Sequence, residues 1–464
     1  MNRRRATFIL LALLGLSLLL APAALAAAGG GSSGFGGGGG GGGGHGGGRG
    51  VGLYIILQLL FRIALLGHGL GALVLVALFL LYVVYARVTP QARAAWSARR
   101  DSGRASRRRV AGRERRVELA AAEAAEDDPA FAPDHLRASA AELYRDIQAA
   151  WDADDRIRLR GLVAPELLAE WERRLDDFER RGWRNRVSPL EPPQIDLVGL
   201  THRGNDREDR VVVRVQARLR DYVEDRAGRR VKRSGRFTET VRTREYWALG
   251  KRRDRWILVS IEQGAEGEHA LDAALVASPW SDDATLRDEA LMEGAVADAV
   301  PSGTNLAELA DLNFAGDARA AANDLSLADG RFAPAVLEVA ARRAVQAWVE
   351  AVDGSDARLR ELAAPEAVAA LLHPDGPQSR LVVRGLAIGK LQITGLDAAA
   401  APPAMTLELE LSGRRYLEDR DTTAVVSGSQ SRVVQFSESW RLTLDADDAE
   451  PWRLASVRSP LARR

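Results

Sequence analysis

The sequence predicts an α+β protein in which one domain is built twice, each copy placing helices on a curved antiparallel sheet, behind an N-terminal transmembrane helix. Three observations carry this. The pentapeptide YVEDR, residues 222 to 226, returns as YLEDR, residues 416 to 420, and further matches follow it in the same order. Each copy opens with apolar residues at helical spacing and closes with apolar residues at a spacing of two, the periods of helix and half-buried strand. Residues 51 to 86 are apolar enough to cross a bilayer.

From the N-terminus, Arg3-Arg4-Arg5, the apolar Phe8 to Leu20 and Ala24-Leu25-Ala26 read as a signal peptide over 1–27. Residues 28–50 are glycine-rich, with 17 glycines between Gly29 and Gly50, a composition that buries no core and forms a spacer outside the cell. G-x-G-x-x-G matches within it are composition, because no strand precedes them. Ile63 to Tyr85 carries no formal charge and anchors the span. Ala86 to Arg116 then holds eleven arginines against Asp101 and Glu114. Positive charge just past a span is retained inside, so the chain is expected to be single-pass in the cell membrane, N-terminus outside and everything after Arg87 cytoplasmic. Residues 87–128 read as a basic, then alanine-rich juxtamembrane linker; their charge suits anionic lipid, and no nucleic-acid module accompanies it.

The net charge of +1 averages segments of opposite sign. Only Lys232, Lys251 and Lys390 are lysines among 64 cationic residues, which with the alanine content reflects a GC-rich bacterial coding bias. With no cysteine, disulfides, thiolate metal sites and cysteine nucleophiles are excluded.

The first copy is expected over 129–263 and the second over 331–460. Phe131 matches Phe332, DADDRIRLRGLVAPE at 152 matches DGSDARLRELAAPE at 353, Glu245-Tyr246-Trp247 matches Glu438-Ser439-Trp440, and Trp256-Ile257-Leu258 matches Trp452-Arg453-Leu454. A period of about 200 residues is a duplicated domain and not a solenoid. Helices are predicted over 134–152, 155–181 and 335–370, with Pro165 opening a new turn or helix. Strands follow, from Val211, Val213, Val215, Ala217 and Leu219 in the first copy and around 381–394, 405–417, 432–444 and 452–457 in the second. Between the copies, 264–330 reads as a solvated acidic linker, Glu266 and thirteen further acidic residues against Arg287 and Arg319, with one helix over 284–298.

The order of signal, glycine run, span, basic stretch, helical hairpin, and strands ending in E-x-W and W-x-L resembles bacterial membrane proteins with a Tim44-like domain, similar to the C-terminal domain of subunit 44 of the mitochondrial inner-membrane import translocase. The resemblance implies two tandem nuclear-transport-factor-2-like cones, membrane association, affinity for anionic lipids such as cardiolipin and a tethering role for membrane or cytoplasmic protein partners; it does not imply an enzyme, and neither enzyme activity nor a cofactor is expected. The chain departs from the mitochondrial protein in having its own span and two copies.

Among candidate residues, Tyr222, Glu224 and Arg226 share a strand face, as do Tyr416, Glu418 and Arg420. A tyrosine beside a carboxylate inside a cone could run acid–base chemistry of an isomerase or hydrolase type; a strand end closed by an ion pair is the plainer reading. Glu245 and Glu438 share faces with Trp247 and Trp440, and if those faces are inward each carboxylate needs a partner, which an arginine on the neighbouring strand would supply. Trp247, Trp256, Trp440 and Trp452 read as core, and the six histidines form no metal spacing or triad. The copies differ in charge. RAGRRVKRSGR puts Arg226, Arg229, Arg230, Lys232, Arg233 and Arg236 around one hairpin turn, while RDTTAVVSGSQSR in the second copy keeps only its terminal arginines. These six are the candidate lipid-binding residues; catalytic and metal residues are expected to be none.

Overall fold

The computed structural model describes residues 90–231, 240–253, 255–297, 318–353, 355–445 and 451–458. The signal peptide, glycine spacer and span expected over 1–86 lie outside them, and no helix among the described residues is long and apolar enough to cross a membrane. Residues 90–115 belong to a unit of their own and are helical throughout; both sheets lie in the unit that begins at Arg116.

The first copy consists of α1 (Pro90–Asp127) in its final turns, α2 (Pro133–Ala153), α3 (Arg156–Leu162), α4 (Pro165–Arg181) and strands β1 (Trp183–Pro189), β2 (Gln194–Thr201), β3 (Arg210–Asp225), β4 (Thr240–Arg252) and β5 (Arg255–Gln263). Local chemistry sets the boundaries. The Asp155 carboxylate accepts from the Arg158 amide at the start of α3, Pro165 opens α4 where no amide is needed, and Gly182, at φ 67°, ends it in a conformation that penalises a Cβ. The predicted helix over 155–181 is therefore two helices. The break is structural: at Val163–Ala164 the chain forms a parallel bridge to β5, with the Ala164 amide donating to the Leu258 carbonyl at 2.7 Å.

The antiparallel sheet runs β1-β3-β4-β5, with β2 also on β3. Its inward residues, Val211, Val213, Val215 and Leu219 of β3 and Trp247 and Leu249 of β4, pack against Leu136, Ile147, Trp151 and Trp171 of the helices. Register shifts at Leu197/Gly199 and Ala248/Leu249 are bulges of the kind that curl a sheet. Val117, Ala121 and Ala124 are fully buried in the same core, so this core begins on α1 at Val117, inside the stretch expected to be linker, and not at residue 129.

The second copy repeats the plan with α7 (Pro334–Asp353), α8 (Ala357–Leu362), α9 (Pro365–Leu372), β6 (Ser379–Asp397), β7 (Ala404–Asp419), β8 (Val425–Gly428), β9 (Val434–Leu444) and β10 (Trp452–Arg458). Its helix break also closes on the last strand: Ala363 bridges Leu454, and the Ala364 amide donates to the Leu454 carbonyl at 2.8 Å. A tryptophan locks each copy's opening turn. Trp256 donates to the Ala130 carbonyl at 3.2 Å and meets Phe131 edge-on, while Trp452 donates to the Arg331 carbonyl at 2.8 Å and meets Phe332 the same way. The long β6 does the work of β1 and β2 together. Pro192 and Pro193, which lack amides, separate that pair in the first copy, whereas β6 bends through Gly385 at φ 56° with a register shift between Arg384 and Ala387.

Of the stretch expected as a solvated linker, the described residues 264–297 and 318–330 carry helices and turns. A 3-10 turn, Glu266–Leu271, buries Glu266, Gly267, Ala270 and Leu271, and α5 (Asp283–Ala297) and α6 (Ala318–Ser326) give Met292, Ala295, Ala322 and Leu325 to the second core. The apolar positions that do this sit between acidic residues, which masks their period. The turn also fastens the copies together. Arg384, 2 % exposed, donates through Nε to Glu266 Oε1 at 3.1 Å, Tyr416 donates its hydroxyl to the same oxygen at 2.7 Å, and Glu262 lies 3.7 Å from Arg384. A second cluster joins Arg420 and Arg380 to Glu170 of α4, and Arg173 to Asp421 at 2.7 Å.

Removing one member of a buried ion pair leaves the other without compensation, at a cost of about 3–5 kcal/mol. Arg384→Met, which strands Glu262 and Glu266, is expected to lower unfolding free energy by that amount in a denaturant titration. Cutting at residue 263 should also destabilise the second copy, because it takes Glu262 from Arg384 and Glu170 from Arg420 and Arg380.

Candidate functional site

Three of the predicted lipid-binding residues are described, Arg226, Arg229 and Arg230, all exposed at the end of β3. Lys232, Arg233 and Arg236 lie outside the described residues. The turn is held by Asp225, whose carboxylate accepts from the backbone amides of Ala227 and Arg229 and from Arg229 Nε, each at 2.9 Å. The Arg229 amide, opposed by slight desolvation and aided by its guanidinium, holds Asp225 below the usual carboxylate range. Arg229 nonetheless leaves 81 % of its side chain in water. The Arg230 guanidinium lies 4.6 Å over the Tyr222 ring, and Arg226 packs along Gly182.

The repeated pentapeptide has thus taken two roles. In the first copy Tyr222 supports the basic turn and Glu224 meets Arg186 at 3.5 Å. In the second, Tyr416 and Arg420 face the first copy through Glu266 and Glu170. The strand-end ion pair read from the sequence exists in both, but in the second copy its partner lies in the other domain.

The four tryptophans are core, as expected. The two glutamates beside them diverge. Glu438 has the predicted neighbouring-strand arginine, Arg415, at 3.3 Å. Glu245, 1 % exposed, has none: Trp247 donates to its Oε2 at 2.9 Å, and Oε1 meets no hydrogen-bond partner among the described residues. Desolvation, only partly offset by the indole N–H, pushes its pKa up to about 8.

Strand register explains the difference. Asn185 and Leu381 pair with equivalent residues Val223 and Leu417, which puts Asp221 at the position of Arg415. Around Glu245 the first copy gathers Tyr144, Gln148, Asn185, Asp221 and Thr243, all buried, where the second has Val345, Val349, Leu381, Arg415 and Phe436. Trp151 donates to Asn185 Oδ1 at 3.1 Å and Asn185 to Asp221 Oδ1 at 2.7 Å. The Tyr144 ring lies 5.2 Å from Trp247, and its hydroxyl pKa is raised by burial first and then by Glu245, with a smaller contribution from Asp221. The sequence reading found Glu245 and missed the rest; aligning the two copies position by position shows an aspartate where the other has an arginine, and that signal was present in the chain.

Each copy is an α+β domain whose helices cap the concave face of a curled antiparallel sheet. The sequence model of the Tim44-like domain matches residues 117–263, so the chain carries a Tim44-like domain in its first copy, starting at the residue where the core starts. No curated protein matches the chain. Among solved structures, the intermembrane space region of the chloroplast protein ARC6 is 12% identical, with 26% of this chain and 88% of that one covered, at a TM-score of 0.21. An Ntf2-like protein involved in plasmid conjugation is 10% identical, with 68% and 95% covered, at a TM-score of 0.17.

A carboxylate neutral in the fold and charged when unfolded stabilises most below its unfolded value and loses that advantage as pH rises through the folded one. For Glu245 the window runs from 4.5 to about 8. Glu245→Gln should therefore flatten the fall of melting temperature across that window while changing little near about pH 4. Arg415→Met, which leaves Glu438 charged and buried, should cost about 3–5 kcal/mol at neutral pH by chemical denaturation.

Proposed function

We propose that the protein is a membrane-anchored, non-catalytic scaffold or tether. The span at 51–86 holds two nuclear-transport-factor-2-like cones at the cytoplasmic face, the first meets anionic lipid through its basic hairpin, and the fastened pair presents surfaces to membrane or cytoplasmic protein partners. The observation that carries this is the asymmetry of the hairpins on a Tim44-like domain. Arg226, Arg229 and Arg230 stand exposed in the first copy, whereas Arg420, which matches Arg226, is engaged with Glu170. Each cation near an anionic surface adds up to ~1 kcal/mol, so the cations of one hairpin act together as an electrostatic contact. Buried networks spanning both copies suit a scaffold, since a tether transmits force and position only if its parts do not slide.

The reading is tested with residues 116–464 and vesicles. Binding should need anionic lipid, weaken as added salt shortens the screening length to a few Å, and fall by roughly tenfold or more when Arg229, Arg230, Lys232 and Arg233 become glutamine. Binding indifferent to salt and to these substitutions would remove lipid from the proposal and leave protein tethering.

A further inference from the structure

The interior of the first copy contains a carboxyl group that its own duplicate shows how to pair. Glu245 and Glu438 occupy equivalent strand positions, both 1 % exposed. In the second copy the side chain crossing the concave face to meet the glutamate is Arg415, and the positions around it are apolar: Val345, Val349, Leu381 and Phe436. In the first copy the residue at the strand position of Arg415 is Asp221, also 1 % exposed, so the one difference adds a carboxylate and removes the guanidinium. The substitutions around it run the same way. Tyr144 and Gln148 of α2, Asn185 of β1 and Thr243 of β4 replace apolar groups with donors and acceptors, and all four are buried. An uncompensated buried carboxylate is costly, yet Glu245 stands in the copy that has no arginine at this position. Its Oε1 is buried without a hydrogen-bond partner among the described residues.

We propose that the first copy binds a small organic cation bearing a guanidinium group, held against Glu245 with Asp221, Tyr144 and Gln148 around it, in the place that the second copy fills with Arg415. Planar guanidinium suits a carboxylate bidentately. The second copy, carrying its own guanidinium, does not take the ligand. The site goes beyond the scaffold reading, and lipid binding by the hairpin stands or falls separately from it.

The test uses the full chain purified in detergent at about pH 8.5, where carboxylates are available in their charged form. The probe is ethylguanidinium, with its neutral isostere ethylurea as control. Ethylguanidinium at ten times its dissociation constant should raise the melting temperature by about 3 °C, and ethylurea should not. The shift should vanish in Glu245→Gln, which keeps the side chain's shape, and in Asp221→Arg, which installs the internal partner of the second copy. No shift in the unsubstituted chain, an equal shift with ethylurea, or an undiminished shift in Glu245→Gln would overturn the proposal. Should Asp221→Arg fail to fold, Glu245→Gln decides alone.

Discussion

Glu266, Arg384 and Tyr416 leave water together, and most of the arrangement of the two copies depends on their doing so. Arg384 is fully desolvated, and the carboxylates of Glu262 and Glu266 outweigh that penalty and keep it charged. Burial would raise Glu262, yet the Arg384 charge and the His269 contact at 2.7 Å bring it below the ordinary range; burial raises Glu266, with Arg384 opposing. One arginine thus holds two carboxylates, Glu262 near the end of β5 and Glu266 in the turn that follows it. The backbone accommodates this through Gly385, where a Cβ would come within 2.8 Å of His269 Cβ. Apolar contact is non-directional and would let two sheets slide; a hydrogen-bonded buried pair holds only in one register.

Duplication makes the physical demands visible because the same problem is solved twice. Both copies close the helix break onto the last strand and clamp the opening turn with a tryptophan, so these are requirements of the fold. Both copies also keep a glutamate on the concave face, but only one answers it with an arginine. The pentapeptide is likewise kept while its surroundings change: it carries an exposed basic turn in one copy and a contact between domains in the other. Shared chemistry marks architecture, and divergence at matched positions marks where each copy does something of its own.

Much of this was legible in the sequence. Period-two apolar runs gave β3, β7 and β9, the helical run through Leu136, Ala140 and Leu143 gave α2, and Pro165 marked the start of α4. Pro165 announced the break before it, but what the break is for was not legible, because its bridge partner is β5 almost a hundred residues on. The final turns of α1 were read as linker because their small buried residues, Ala121 and Ala124, resemble compositional filler. The acidic stretch after Gln263 was read as solvated by its charge, and Glu266 shows why charge alone misleads: a carboxylate can be buried when an arginine far along the chain meets it. Of the site, the exposed hairpin was legible from composition, whereas the polar interior needed the register between two strands.

The span of chain between Glu266 and Arg384, 118 positions, also sets an order of events during synthesis. When β5 has been made, every strand of the first sheet exists, and that copy can close while Glu266 still faces water. Its partner is not yet translated. The second copy, in turn, cannot lock its opening turn before Trp452 is made. The nascent protein therefore passes through a stage with a finished first domain and an exposed carboxylate awaiting its counter-ion, and docking of the copies waits until Arg384 and Tyr416 have been made.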